Sequence, residues 1–180
     1  MSNVRNGFSI IEVIIAVFVI VVGLVAMMNL MANSLKHTID SRNLIIASGL
    51  AQEGVELVKN IRDNSWLDPP NETDPFDDFP GNGNPDKNNC RIDYTYTDAK
   101  DAKCSSSVSH KKLKYNAGFY EHANGTDTKF QRKLVFSYPV ADKAIVQSIV
   151  IWSRADNDFP TPCATANKCV MVEDILTNWR

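Results

Sequence analysis

The sequence lacks a strong charge of either sign, since its 180 residues carry 19 Lys and Arg against 21 Asp and Glu, a formal net charge of −2. No global basic field therefore marks nucleic acid as the main partner. The sequence also has no phosphate-binding loop, no Gly-x-Ser-x-Gly, no His-Glu-x-x-His and no dinucleotide fingerprint, so we expect no enzyme, no cofactor and no metal site. The three histidines, His37, His110 and His122, are scattered without ligand spacing and are interpreted as surface residues.

Hydrophobic residues are ordinary in number, at 44%, but they are unevenly placed. Residues 13–28 contain no charged or strongly polar side chain, and no proline occurs before Pro69. Roughly 20 apolar residues, at about 1.5 Å each, cross a hydrocarbon core of about 30 Å. A helix satisfies its own backbone groups in lipid, so the pattern predicts one membrane-spanning helix. The remaining length allows one modest domain.

One carboxylate interrupts the apolar stretch. Glu12 lies where an unpaired charge costs several kcal/mol, so it reaches the interface, stays protonated, or pairs with a cation of another subunit. A secretory signal peptide is the main alternative for the whole segment. The apolar run is long for such a peptide, and no convincing Ala-x-Ala site follows it.

The N-terminal residues resemble the processing site of type IV prepilins and type II secretion pseudopilins, in the stretch GFSIIEV at residues 7–13. In those families a short polar leader ends in Gly, a methylatable residue (usually Phe) follows, and Glu stands at the fifth mature position. The resemblance implies cleavage between Gly7 and Phe8 by a prepilin peptidase, N-methylation of Phe8, and a role of Glu12 in assembly. In a bundle of helices the new α-amino group and Glu12 of a neighbour would neutralise each other, which costs far less than two unpaired charges.

The resemblance further implies a filament subunit, most simply a minor pilin of a type IV pilus. Its partners would be other pilin subunits in a helical filament, the prepilin peptidase, an inner-membrane assembly platform, and membrane lipid before assembly. The chain would be a single-pass membrane protein with an extracytoplasmic C-terminal domain, and later part of a cell-surface or periplasmic filament. A pseudopilin of a type II secretion system is the alternative. Residues 146–153 and 175–180 also resemble C-terminal strands of some minor, modification-type pilins.

A DNA-uptake pilin is a third interpretation. It would need a basic patch with aromatic side chains, and a lysine-rich stretch beside two tyrosines gives that idea thin support. The stretch consists of Lys111, Lys112, Lys114, Tyr115 and Tyr120.

The helical pattern continues beyond the apolar stretch. Apolar or small side chains recur at helical spacing between Ala47 and Ile61, with polar residues on the other face. After a leader at residues 1–7 we therefore expect one helix, whose residues 8–32 form a membrane and assembly half and whose residues 33–62 form an amphipathic half. A membrane helix joined near Asn43 to a separate amphipathic helix is the alternative.

The rest of the chain predicts a loop followed by a sheet. Residues 63–89 are rich in Pro, Gly and Asp and predict a long loop, whose acids do not match the EF-hand spacing of a calcium site. Alternation of period two at residues 94–97, 113–119 and 130–138 predicts strands, and residues 145–152 are apolar on both faces, as in a central strand. Residues 90–180 thus predict a mainly antiparallel sheet, and the expected fold class is α+β, a long N-terminal helix packed on that sheet, as in pilin-like domains.

Four cysteines, Cys90, Cys104, Cys163 and Cys169, lie in the polar part of the chain, which favours disulfides in an oxidising compartment. Four cysteines permit three pairings. We favour Cys90–Cys104 and Cys163–Cys169 because each pair closes a short loop. A zinc site and free thiols are the alternatives.

Overall fold

The computed structural model describes residues 9–67, 76, 79–80, 89–96, 101–105, 111–140, 142–152 and 159–178, and it describes Trp66 by its backbone alone. The chain divides into two compact units, Met1–Arg42 and Asn43–Arg180.

The helix α1 runs from Ile10 to Leu67. Ser9 precedes it, and the Ser9 carbonyl oxygen accepts hydrogen bonds from the amides of Glu12 and Val13 at 3.0 and 3.3 Å. The helix is unbroken at Asn43, where the alternative interpretation placed a joint.

The C-terminal end of α1 lies beyond the expected boundary at residue 62. The last turn is held by polar side chains, since the Ser65 hydroxyl donates to the Ile61 carbonyl at 3.1 Å and the Asn64 amide donates to Asn60 Oδ1 at 3.1 Å. The helix thus extends beyond the end of its apolar period, and its last turn contains local side-chain hydrogen bonds. The start of the predicted loop at residue 63 is therefore wrong by five residues, because the helix continues through Leu67.

Seven strands lie within the described residues: β1 Cys90–Arg91, β2 Lys103–Cys104, β3 Lys112–Asn116, β4 Phe119–Glu121, β5 Thr126–Val140, β6 Lys143–Ile151 and β7 Cys169–Thr177. All their pairings are antiparallel. Strand β5 is central, with β6 along one edge and β3 and β1 along the other; β4 flanks β3, β2 flanks β1, and β7 flanks β6. The predicted α+β class is confirmed.

The strongest sequence patterns correspond to real strands. Phe130, Leu134 and Phe136 are buried on one face of β5, as the alternation predicts. Strand β6 lies between β5 and β7, which confirms the central strand expected at residues 145–152.

The stretch at residues 113–119 is not one strand. Ala117 and Gly118 have φ of 47° and 100° and form the turn between β3 and β4. Positive φ at two successive residues is the geometry of the tight hairpin turn that matches the twist of the flanking strands. The single-strand prediction is wrong because the period-two pattern continues across the turn by chance.

The strand expected at residues 94–97 is wrong over residues 94–96, and Thr97 lies outside the described residues. Tyr94 and Thr95 lie in a turn, which is closed by a 3.0 Å hydrogen bond from the Tyr96 amide to the Asp93 carbonyl. The turn ends strand β1 after only two residues.

The interior of the second unit contains two separate apolar clusters between α1 and the sheet. One consists of Val58, Ile61, Phe76, Phe79, Cys90, Ile92, Leu134, Phe136, Ala144, Val146 and Leu176. The other consists of Ala47, Leu50, Ala51, Leu113, Phe130, Val150 and Trp152.

A layer of three residues separates these clusters. It consists of Gly54 of α1 and two polar residues, Arg132 of β5 and Ser148 of β6. Along β5, Arg132 stands between a residue of each cluster, and along β6 Ser148 does the same. A Cβ placed on Gly54 would lie 2.5 Å from the Ser148 hydroxyl oxygen and 3.1 Å from Arg132 Cδ. Glycine at this position therefore lets the helix approach the sheet closely.

Two disulfides tie the sheet. Cys90–Cys104 joins directly paired residues of β1 and β2, and Cys163–Cys169 joins the start of β7 to the segment that precedes a short 3-10 turn at Thr165–Asn167. These are the two local pairs favoured from the sequence.

Candidate functional site

The first unit carries a fully uncovered apolar helix surface at residues 10–31 of α1, called here the apolar segment. Every described side chain in it is exposed, and Ile10 and Leu30 are 81% and 71% exposed. A contiguous apolar surface of this extent marks contact with a membrane or with another protein. Among the described residues, α1 is the one helix long and apolar enough to cross a membrane, judged by length and composition.

Glu12 is the single charged side chain of the apolar segment and lies in the first turn of α1. Within the part of the chain that the structure describes, its carboxylate makes no ion pair and no hydrogen bond. The first turn is a favourable place for an acid, because the unpaired helix amides carry partial positive charge. The predicted processing residues, Gly7 and Phe8, lie outside the described residues.

The second unit contains a buried histidine–carboxylate hydrogen bond that sequence reasoning missed. His122 follows β4 and Asp93 follows β1, and their side chains are 0% and 2% exposed. The Nδ1 atom of His122 lies 2.5 Å from Asp93 Oδ1, and the His122 backbone amide donates to the same oxygen at 3.1 Å. The interpretation of His122 as a surface residue is therefore wrong, whereas His37 is exposed and His110 lies outside the described residues.

The charge state of this pair follows from its surroundings. Burial lowers the pKa of His122 below its ordinary value, and the positive charges of Arg132 and Arg91 act in the same direction against the opposing effect of Asp93. Burial alone would raise the pKa of Asp93, but the hydrogen bond and charge of His122, together with Arg132, bring it below its ordinary value. At neutral pH the pair is thus a carboxylate that accepts a hydrogen bond from a neutral imidazole.

Arg132 is the largest fully buried polar side chain of the described residues. Its guanidinium donates to the Leu50 carbonyl at 3.1 Å, to the Ile92 carbonyl at 2.9 Å and to a Glu53 carboxylate oxygen at 3.3 Å. One side chain therefore joins α1, β5 and the segment after β1. Period two along β5 places Arg132 on the same face as Phe130 and Leu134, and this signal could have identified it from the sequence.

The lysine-rich stretch proposed for DNA is already engaged in internal contacts. Lys112 forms an ion pair with Asp127 at 3.2 Å, and Lys114 donates to the Ala123 carbonyl at 3.0 Å. Lys111 is buried. The rings of Tyr115 and Tyr120 pack edge to face, with centroids 5.4 Å apart.

The described residues show no arrangement suited to metal binding, since no group of three or more His, Cys, Asp and Glu side chains could hold an ion. An open groove runs along α1 and is lined by Glu53, Glu56, Leu57, Lys59, Asn60 and Asp63. The positive charge of Lys59 in this groove is compensated, because Lys59 Nζ lies 2.6 Å from Asp174 and 3.0 Å from Glu56. Hydrogen bonds to these two carboxylates raise the pKa of Lys59.

Comparison with models of protein families, with curated proteins and with solved structures gave no match. The chain is thus characterised by its own features: an exposed apolar helical segment with one carboxylate, and a disulfide-bonded antiparallel sheet packed on the continuation of that helix.

Proposed function

We propose that this chain is a structural subunit of a type IV pilus-like filament, a minor pilin that a prepilin peptidase cleaves and that assembles through its N-terminal helix. One observation carries the proposal. Glu12 is a single carboxylate without a partner in the described residues, and it stands in an otherwise apolar, exposed segment that continues a processing-type sequence at residues 7–13.

The physical reason for such an arrangement lies in the membrane. Lipid tails are as apolar as the side chains of the apolar segment, so the hydrophobic effect does not select one position of a helix beside another in lipid. A carboxylate and an ammonium group in the same surroundings do select a position, because each charge is costly until it is paired. Glu12 of one subunit and the α-amino group released at Phe8 of the next would thereby set the axial register of the filament.

The second unit supports the same proposal by its covalent chemistry. Two disulfides persist in oxidising surroundings and are rare in reduced compartments. A domain that carries them after a single apolar helix is suited to the extracytoplasmic side of a membrane. The partners then follow: other pilin subunits, the peptidase, the assembly platform and membrane lipid before assembly.

Co-expression with a prepilin peptidase tests the proposal. Intact-mass and N-terminal peptide mass spectrometry should detect a chain that begins at Phe8 and carries one added methyl group. Gly7→Leu should block cleavage, whereas Gly23→Ala, where an added Cβ meets nothing within 4 Å, should leave cleavage unchanged. A chain that keeps residues 1–7 while a known prepilin is cleaved in the same cells would exclude the proposal.

A further inference from the structure

Two lysines converge on one aromatic ring in the second unit. Lys133 Nζ lies 4.6 Å from the centroid of the Phe159 ring, and Lys111 Nζ lies 5.6 Å from the same centroid. Lys111 is only 7% exposed, and Lys133 is half-buried. Within the described residues, neither ammonium group forms an ion pair or a hydrogen bond.

Among the described residues, no carboxylate compensates these two positive charges, which lie in a partly desolvated place. An ammonium over an aromatic face gains about 0.5–2 kcal/mol, which is less than a buried charge costs when no opposite charge is near. Burial and the nearby charge of Lys111 both lower the pKa of Lys133. The two groups therefore repel each other and together attract an anion.

The backbone holds the two lysines in place. The Arg132 amide donates to the Lys111 carbonyl at 2.8 Å, and Lys133 is the next residue of β5, paired with Ile149 of β6. Lys133 is therefore fixed by the central strand of the sheet, Lys111 by its backbone bond to that strand just before β3, and Phe159 stands in an irregular segment.

Three other lysines of this unit have a carboxylate partner or lie alone over an aromatic ring. Lys59 and Lys112 each have a carboxylate partner, at 2.6 and 3.2 Å. Lys129 lies over the Phe130 ring at 5.6 Å and shares that ring with no second lysine among the described residues. Within the described residues, only Lys111, Lys133 and Phe159 thus combine two ammonium groups with one aromatic ring and no carboxylate.

We propose that Lys111, Lys133 and Phe159 form a binding site for an oxyanion, that is, a carboxylate, sulfate or phosphate group. The two ammonium groups donate charge-assisted hydrogen bonds to its oxygens, and the Phe159 ring forms an apolar wall that keeps water from competing. This site does not depend on the assembly role of the N-terminal helix.

The test uses the full chain in neutral detergent micelles, with lysines labelled with ¹³C at Cε and observed by NMR. Inorganic phosphate, sulfate and acetate are titrated separately against chloride at constant ionic strength. We expect saturable shifts of the Lys111 and Lys133 signals with at least one of the three anions, a rise in the pKa of Lys133, and no saturable shift of Lys129. The anion that binds most tightly shows which of the three oxyanions the site prefers.

Variants complete the test. Lys133→Met should weaken binding by about tenfold or more, the effect of losing one charge-assisted hydrogen bond, whereas Lys129→Met should leave it unchanged. Lys111→Met should weaken binding similarly. Because Lys111 is buried, the unfolding midpoint of this variant is measured as well, which separates a loss of binding from a loss of folding. Shifts of Lys133 that are linear in anion concentration, shifts that Lys129 shares, or undiminished binding by Lys133→Met would each overturn the proposal.

Discussion

The Nδ1 atom of His122 and the Oδ1 atom of Asp93 lie 2.5 Å apart, with both side chains buried. Since His122 follows β4 and Asp93 follows β1, this contact fastens the hairpin at one end of the sheet to the segment that leads away from β1. Its energetics depend on pH, because both groups titrate.

Acidification should destabilise the second unit. The pKa of His122 is lowered in the folded chain from 6.5, so the unfolded chain binds that proton first and stability is lost as the pH falls below about 6.5. The pKa of Asp93 is lowered from 3.8, so its contribution is lost only in more acidic solution. Urea denaturation between pH 7.5 and 4.5, followed by tryptophan fluorescence, measures the decline.

His122→Gln is the decisive variant for this pH dependence. Glutamine can still donate a hydrogen bond to Asp93 but does not titrate. The free energy of unfolding of this variant should therefore fall less steeply just below pH 6.5. His37→Gln removes an exposed histidine and should keep the wild-type profile. Equal slopes for His122→Gln and the wild type would show that another group controls the acid sensitivity.

Gly54→Ala should destabilise the second unit by about 1–3 kcal/mol, because the added methyl group meets Ser148 and Arg132 in a packed interior. This cost should exceed the gain of about 1 kcal/mol that alanine brings to a helix. Gly49→Ala is the matched control, since its Cβ meets nothing within 4 Å, and it should stabilise the helix.

A second substitution distinguishes crowding from other causes of the Gly54→Ala effect. The Ser148 hydroxyl is buried without a hydrogen-bond partner in the described residues, so Ser148→Ala costs no hydrogen bond and removes the nearest atom. The double variant should recover part of the lost stability in a double-mutant cycle. Strict additivity of the two changes would contradict the proposed contact.

Arg132→Met should lower the free energy of unfolding by about 3 kcal/mol or more. It leaves the Ile92 carbonyl without its donor and removes the link from β5 to the Leu50 carbonyl. Arg132→Lys should recover little, because one ammonium group cannot reproduce the fork of the guanidinium. Lys129→Met, an exposed change on the same strand, should remain within about 0.5 kcal/mol of the wild type in denaturant titrations.

Glu12→Gln should leave membrane insertion intact and reduce incorporation into filaments by about tenfold or more, since the amide cannot pair with the α-amino group of a neighbour. Membrane fractionation and immunoblotting of sheared filaments measure the two quantities separately. Asp40→Asn removes a different acid from the same helix and should not affect either quantity. Wild-type incorporation of Glu12→Gln would refute the pairing.

The sequence predicted the parts of the fold that periodicity specifies. The helix up to residue 62 and the strands β5 and β6 carry long patterns, and the favoured cysteine pairs link residues close in the chain. The patterns are informative because burial on one face imposes a period of 3.6 on a helix and of two on a strand.

Sequence patterns did not predict the structure where a turn interrupts an alternating stretch or where a residue is buried by a partner distant in the chain. The turn at Ala117–Gly118 interrupts a pattern that alternates on both sides of it, and only Gly118 hints at a positive φ. His122 is buried because Asp93, 29 residues earlier in the chain, supplies its partner, and no short-range pattern records such a pairing. The apolar segment and Glu12 could be identified from the sequence, whereas the lysine pair at Phe159 depends on a fold that brings three distant positions together.

The division of the interior by Gly54, Arg132 and Ser148 has an evolutionary consequence. Each apolar cluster can exchange residue volumes within itself while its neighbour keeps its own packing, so the two halves of the domain are free to diverge at different rates. The three residues between them are in close contact, so a larger side chain at position 54 requires a smaller one at position 148 or a shift of Arg132.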